Sequence, residues 1–188
     1  FDLAGAEKDY PAKDHVEAFQ RVLNRNVNIT IHAGEAFGAP SIHQALHYCR
    51  AHRIGHGTHL NQDPDLMNWV NDRRIPIEIC LASNLQTKAI PDYQSHPIRR
   101  FMEEGMRVCL NTDNRLVSGT TVTNEYRLAV ENYGLSEDEV LGLVINGFKS
   151  AFLPLRDKAA MVDQVLAEFA SLGASFSGEI SRRRRVQL

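Results

Sequence analysis

His32, Glu35, His56, Ser83, Asn84, Asp113 and Asn114 are residues whose types could do chemistry together, and they fall in four short segments. These are His32-Ala33-Gly34-Glu35, Arg53-Ile54-Gly55-His56-Gly57, Ala82-Ser83-Asn84 and Asn111-Thr112-Asp113-Asn114. Neutral imidazole and carboxylate are suitable zinc ligands. A divalent metal lowers the pKa of bound water from about 15.7 to about 7, which makes hydroxide available at neutral pH. A carboxyl group beside the metal can carry protons, and a second histidine can position or polarise the hydroxide. Metal-assisted hydrolysis is therefore the chemistry these residue types permit.

Each segment taken alone has an ordinary reading. A strand-end histidine is more often a hydrogen-bonded structural group than a ligand. Asp-Asn after a strand is more often a turn, and Ser-Asn commonly caps a helix. Register gives the set its weight. Expected strand ends near Gly5, His32, His56, Asn84 and Asp113 recur every 24 to 29 residues, a spacing that suits βα units. In a parallel α/β barrel such ends share one face, where residues distant in sequence converge.

The elements that must position these ends follow from apolar periodicity. Val16, Phe19, Val22 and Leu23 predict a helix over residues 14–26, and Val27 to His32 a strand. A second helix starts near Pro40 and carries Ile42, Ala45, Leu46 and Cys49. Strands are expected at 53–56, 75–81 and 106–111, with helices around Leu66, Trp69 and Val70 and around Ile98, Phe101 and Met102. Gly105 suits a left-handed helix end. Three helices close the chain: 123–133, one opened by the capping-box pair Ser136 and Glu139, and 156–172. Strands alternating with helices imply parallel pairing through crossovers. A whole eight-unit barrel takes about 250 residues, so the five strands of this 188-residue chain fit the second part of a TIM-type (β/α)8 barrel. An open doubly wound sheet competes, but no GxGxxG follows any strand.

A net charge of −2, from 21 basic and 23 acidic residues, gives no electrostatic reason to expect nucleic acid or an anionic membrane as partner. No apolar run approaches the ~20 residues that span a bilayer, and no signal peptide opens the chain. Cys49, Cys80 and Cys109 form no CxxC pair, which argues against a disulfide framework and for a reducing cytoplasm. The chain opens on Phe1, and residues 1–5 read as a strand running into a loop, so an upstream portion is expected.

In order and spacing, HAGE at 32–35, RIGHG at 53–57, Ser83-Asn84 and NTDN at 111–114 resemble the motifs of the adenosine deaminase family. Asp2-Leu3-Ala4-Gly5 matches as well, and the likeness runs to about residue 155. It implies a TIM-type barrel with zinc at the strand carboxyl ends and hydrolysis of adenosine, and of 2′-deoxyadenosine, to the inosine products. By resemblance, His32 and Asp113 are zinc ligands, Glu35 protonates the purine at N1, and His56 orients and assists the attacking hydroxide. Asp113 also accepts a hydrogen bond from the zinc-bound water. Gly5 offers its backbone to the purine edge, and Asn114 stands where many members have a second aspartate facing N7; its amide can donate there. The family's first strand also carries a His-x-His pair that has no counterpart here. Further histidine ligands are therefore expected from a missing upstream segment, which makes the N-terminal half of the barrel a partner of this one and the 188 residues alone inactive. Alternative readings are a deaminase of adenine, AMP or N6-substituted AMP, or a non-catalytic purine-binding or assembly module. The PCxxC signature of the cytidine and tRNA-adenine deaminases is absent, as is HExxH.

The remaining motifs have plainer readings. His43, His47 and His52 cluster around one helix and read as a solvated polar face. His59 is unassigned, and Trp69 reads as packing between a helix and the barrel wall. Residues 1–178 form one barrel domain in this reading, and 179–188, with Arg182 to Arg185, a basic disordered tail.

Overall fold

The computed structural model describes residues 1–172, with five strands in one sheet. They are β1 (Asp2–Leu3), β2 (Thr30–Ala33), β3 (Arg53–His56), β4 (Ile77–Ile79) and β5 (Val108–Leu110). Neighbours in the sheet are neighbours in the chain, and every pair is parallel. A doubly wound sheet reverses its strand order at a switch point. This sheet does not, so its order is that of consecutive βα units in a barrel wall.

The helices are α1 (Val16–Leu23), α2 (Ala39–His47), α3 (Pro64–Asp72), α4 (Leu81–Gln86), α5 (Ile98–Glu103), α6 (Arg115–Ser118), α7 (Val122–Tyr133), α8 (Glu137–Ser150) and α9 (Leu155–Ser171). Alternation along the strands sorts their side chains onto two faces. Ile29, Ile31, Ile54, Ile77 and Ile79 share one buried cluster with Phe19 of α1, Ile42 and Leu46 of α2, Val70 of α3 and Phe101 of α5. Each such side chain contributes about 1.5–3 kcal/mol by leaving water. The other face is polar. His32, Gly55, Glu78, Cys80 and Asp113 border one cavity of about 350 Å³. His32 pairs in register with Gly55, and Gly55 with Glu78.

Local signals set the helix ends. Ser136 and Glu139 form the expected capping box, with Ser136 N donating to Glu139 Oε2 at 2.9 Å. Gly105, at φ 69°, follows the end of α5 in the left-handed conformation. Asp63 and Thr121 cap α3 and α7 through their side-chain oxygens. Helix α8 packs on β5, where Asn146 Nδ2 donates to the Val108 carbonyl at 3.0 Å. Leu141 and Ile145 of α8 meet Val162 and Val165 of α9 in a second cluster.

The strands are shorter than their apolar patterns suggest. The expected strand 75–81 is β4 plus the first residue of α4, because only Ile77–Ile79 finds ladder partners, Val108 to Leu110. Likewise 106–111 contracts to β5, and 27–32 shifts to β2. The expected helix 14–26 is a 3-10 turn (Ala12–His15) followed by α1, with Asn26 left-handed at φ 56°. Among the described residues, no helix is long and apolar enough to cross a membrane. The boundary expected at 178/179 and the Arg182 to Arg185 run lie outside the described residues.

Candidate active site

Strand carboxyl ends deliver His32, His56 and Asp113 to one point. One ligand atom from each lies within 4.8 Å of the other two, the only such group of three or more His, Cys, Asp or Glu found among the described residues. His32 is the penultimate residue of β2, on its polar face, and its ring packs over Gly55 of β3. A Cβ at Gly55 would sit 3.0 Å from His32 Cδ2, tighter than ordinary contact, so the glycine of RIGHG makes room for that ring. His56 and Asp113 are left-handed, at φ 64° and 53°. Histidine and aspartate enter this region more readily than most side chains, and such residues cluster at functional sites.

Hydrogen bonds fix each ring and carboxylate. His56 Nε2 is 3.2 Å from His32 Nδ1 and 3.6 Å from Glu35 Oε2. His56 Nδ1 lies 3.1 Å from Asn84 Nδ2. With the amide donating, Nδ1 is the acceptor and the ring proton sits on Nε2. The same Asn84 amide donates to Glu35 Oε1 at 3.2 Å, and Thr87 Oγ1 donates to that oxygen at 2.8 Å. Asp113 Oδ2 accepts from Ser83 Oγ at 2.7 Å. His32 Nε2 is 3.5 Å from Asp2 Oδ2. Burial holds His56 below the usual histidine range and the charge of His32 pushes the same way, while Glu35 and Asp113 pull it upward. Burial, with Asp113 adding to it, raises Cys80 well above the usual thiol range, so this neighbour of the site is a thiol and not a thiolate.

The apolar pattern puts Ser83 and Asn84 at a strand end. They are buried in α4, which begins immediately after Cys80. This placement lets one helix address three groups: Ser83 reaches Asp113, and Asn84 reaches both His56 and Glu35. Asn114 borders the cavity beside Asp113 and caps α6, its Oδ1 accepting from Val117 N at 3.1 Å. That leaves its amide nitrogen as the group available to a ligand. Gly5 borders a neighbouring concavity of about 550 Å³, which it shares with His32, Glu7, Tyr10 and Phe37. His32 therefore stands between the Gly5 side and the Asp113 side.

Sequence reasoning missed several supporting residues. Thr87 is one. His59 is another: its Nδ1 lies 2.8 Å from the Gly34 carbonyl, behind the HAGE loop. Glu125 of α7 accepts from Ala82 N at 3.3 Å and from Thr120 Oγ1 at 2.8 Å, placing a carboxylate at the first turn of α4. Glu7 reaches the backbone of residues 34–36. The histidine decoys behave as ordinary packing. His43 and His47 are exposed with ring centroids 4.3 Å apart, and Trp69 lies between His47 and Arg73. His52 Nδ1 accepts from Ile29 N at 3.0 Å.

Similarity to known proteins agrees with the site. The family model described as adenosine deaminase matches residues 1–168. Adenosine deaminase 1 of Streptomyces coelicolor is 42% identical over 177 residues, covering 88% of this chain and 45% of that protein. The crystal structure of adenine deaminase from Arthrobacter aurescens superimposes with a TM-score of 0.86 at 27% identity, covering 90% of this chain and 52% of that one. The N6-methyl-AMP deaminase of Arabidopsis thaliana gives a TM-score of 0.77 at 30% identity, covering 90% and 48%. The fold is that of the TIM-barrel deaminases. The chain spans about half the length of the relatives it matches.

Proposed function

Since the chain belongs to the adenosine deaminase family, we propose that it forms the C-terminal part of a zinc-dependent barrel that hydrolyses adenosine and 2′-deoxyadenosine to the inosine products. The observation that carries this reading is the meeting of His32, His56 and Asp113 within 4.8 Å, with Glu35 held beside them by Asn84 and Thr87.

The residues fit a divalent metal. The His32 imidazole and the Asp113 carboxylate are zinc-type donors, and the carboxylate has its own supporting hydroxyl from Ser83. His32 and Asp113 would hold the ion, joined by histidines from the other part of the barrel. A metal bound there supplies a nucleophile at neutral pH by lowering the pKa of water.

The chain's own groups divide the remaining work. As C6 gains oxygen, Glu35 gives a proton to N1, so the ring takes up the displaced electron pair. His56, fixed by Asn84, orients the attacking oxygen. The C6–N bond then breaks as the C6 hydroxyl becomes a carbonyl, the amine taking the proton that hydroxyl gives up and leaving as ammonia. The Gly5 backbone faces the purine edge, and Asn114 Nδ2 donates to N7. The reading places the protein in the cytoplasm, in keeping with three buried, unpaired cysteines.

A second reading keeps the chemistry and changes the substrate to adenine, AMP or an N6-substituted AMP. It is favoured by the adenine deaminase and N6-methyl-AMP deaminase among the similar structures. Parallel assays separate them: the chain joined to its upstream segment is loaded with Zn2+ and given adenosine, adenine and AMP, the last with and without an N6-methyl group. Loss of purine absorbance fastest with adenosine is expected, and none from the 188 residues alone. No acceleration with any of them, in metal-loaded protein, overturns both readings in favour of a purine-binding module.

A further inference from the structure

Glu7 lies two residues beyond Gly5 in the loop after β1, and its carboxylate is spent entirely on another loop. Oε1 accepts from Gly34 N at 2.6 Å, and Oε2 accepts from Glu35 N at 3.0 Å and Ala36 N at 2.6 Å. The hydroxyl of Ser41, buried in α2, reaches Oε1 as well and accepts from Gly34 N at 2.8 Å. Three consecutive backbone N–H groups turned toward one anion form a nest, here filled by a side chain 27 to 29 residues earlier in the chain. Bonds to an ionised acceptor are shorter and about twice as strong as neutral ones. The nest requires Gly34. At φ 78° it is left-handed, and a Cβ there would lie 2.7 Å from Ile42 Cγ1.

We infer that Glu7 is a positioning residue for the proposed acid. It clasps the backbone at 34–36, so the Glu35 side chain leaves a fixed Cα and meets Asn84, Thr87 and His56 in register. The side chain of Glu35 is secured at its tip by α4, and the clasp secures its root. The clasp also ties the loop carrying Gly5, which faces the purine edge, to the loop carrying the acid. Substrate placement and proton delivery thus share one support. This rests on Glu35 being the acid proposed above.

The test compares Glu7→Ala and Glu7→Gln with the unmodified protein, in the full-length metal-loaded enzyme. A displacement of about 1 Å in a catalytic group costs about 100-fold. Glu7→Ala is therefore expected to lower kcat about 30- to 100-fold with KM changed less than about threefold, and Glu7→Gln to lie between. Amide hydrogen exchange at Gly34, Glu35 and Ala36 should accelerate in both, while Ile31 of β2 keeps its protection. Unchanged exchange at 34–36 overturns the clasp. Faster exchange with kcat unchanged overturns its role in placing Glu35. A loss of activity that only tracks the unfolded fraction reduces Glu7 to a stabilising residue and also overturns the proposal. Exchange is read without substrate. If the unmodified enzyme turns over no purine, the functional reading falls while these amides still decide the clasp.

Discussion

The polar face of the sheet holds two networks that differ in kind. At the starts of β2 and β3, Thr30 and Arg53 reach Glu78 in the middle of β4: Arg53 Nε lies 3.2 Å from Glu78 Oε1, and Thr30 Oγ1 donates to the other carboxylate oxygen at 2.7 Å. The Arg53 guanidinium also donates to the Ser150 carbonyl at 3.1 Å and lies 3.7 Å above the Phe152 ring. That network contains its own cation. At the carboxyl-terminal ends, His32, His56, Glu35 and Asp113 bring imidazole nitrogens and carboxylates together, supported by Ser83, Asn84 and Thr87. Under the proposed function, the difference separates a stabilising arrangement from a reactive one. The first matches charge with charge, and the second gathers electron-pair donors around a common point.

Substitutions should therefore separate by network, and the largest effect is expected at the donors. Asp113→Asn should lower turnover by about 10³-fold or more together with zinc content, since a catalytic zinc needs at least three protein ligands. Thermal stability should change little. Activity assay beside metal analysis checks this, and a protein that keeps both would erase the distinction between the two networks.

Glu35→Gln comes next. General acid catalysis contributes about 10²- to 10⁴-fold, so kcat should fall in that range while zinc content is unchanged. Loss of metal along with rate would make Glu35 part of the holding set.

In the Arg53 network the effect should appear in folding. Glu78→Gln leaves Arg53 without its carboxylate, and breaking a buried pair from one side costs about 3–5 kcal/mol. Because Glu78 and Arg53 are each about a fifth exposed, at 18% and 20%, about 2–3 kcal/mol is expected. Denaturant unfolding measures it. The metal content of the folded fraction should be unaffected.

The smallest effect at neutral pH concerns a histidine close to His56 and His59. Burial depresses His96 to about 3, with the charges of His56 and His59 pushing the same way, and its Nδ1 accepts from Ile98 N at 3.0 Å. The unfolded chain takes up this proton near pH 6.5 and the folded chain does not. Stability is therefore complete above about 6.5 and falls as pH drops toward about 3, by at most about 1.4 kcal/mol per unit. His96→Asn keeps an acceptor for Ile98 and should flatten that limb of the stability–pH curve. An unchanged curve would show that His96 is already charged in the fold.

The convergence of the proposed site was legible in the sequence. His32, Glu35, His56 and Asp113 announce themselves through residue type and through glycines at strand ends, and the sheet brings them together. The Arg53–Glu78 pair left a trace too, since Glu78 stands between Ile77 and Ile79 with the alternation of an inward position. Helix α4 was less readable. Its first turn is supported by Glu125, 43 residues away, and no local cap marks its start. The Glu7 clasp was invisible for the same reason: its partners are backbone N–H groups, which every residue but proline carries. Local patterns reveal strands and side-chain chemistry, whereas long-range bonds to the backbone leave no letter in the sequence.

Gly55 has no side chain, yet the His32 ring occupies the room above its α-carbon. A saturation library scored for turnover should thus rank this position among the least permissive in the chain. Even alanine would tilt the imidazole away from its neighbours while leaving the apolar layer on the other face of β3 intact. An engineer who ranks positions by reactive atoms alone would pass over it, because at this position the working part is empty space held open.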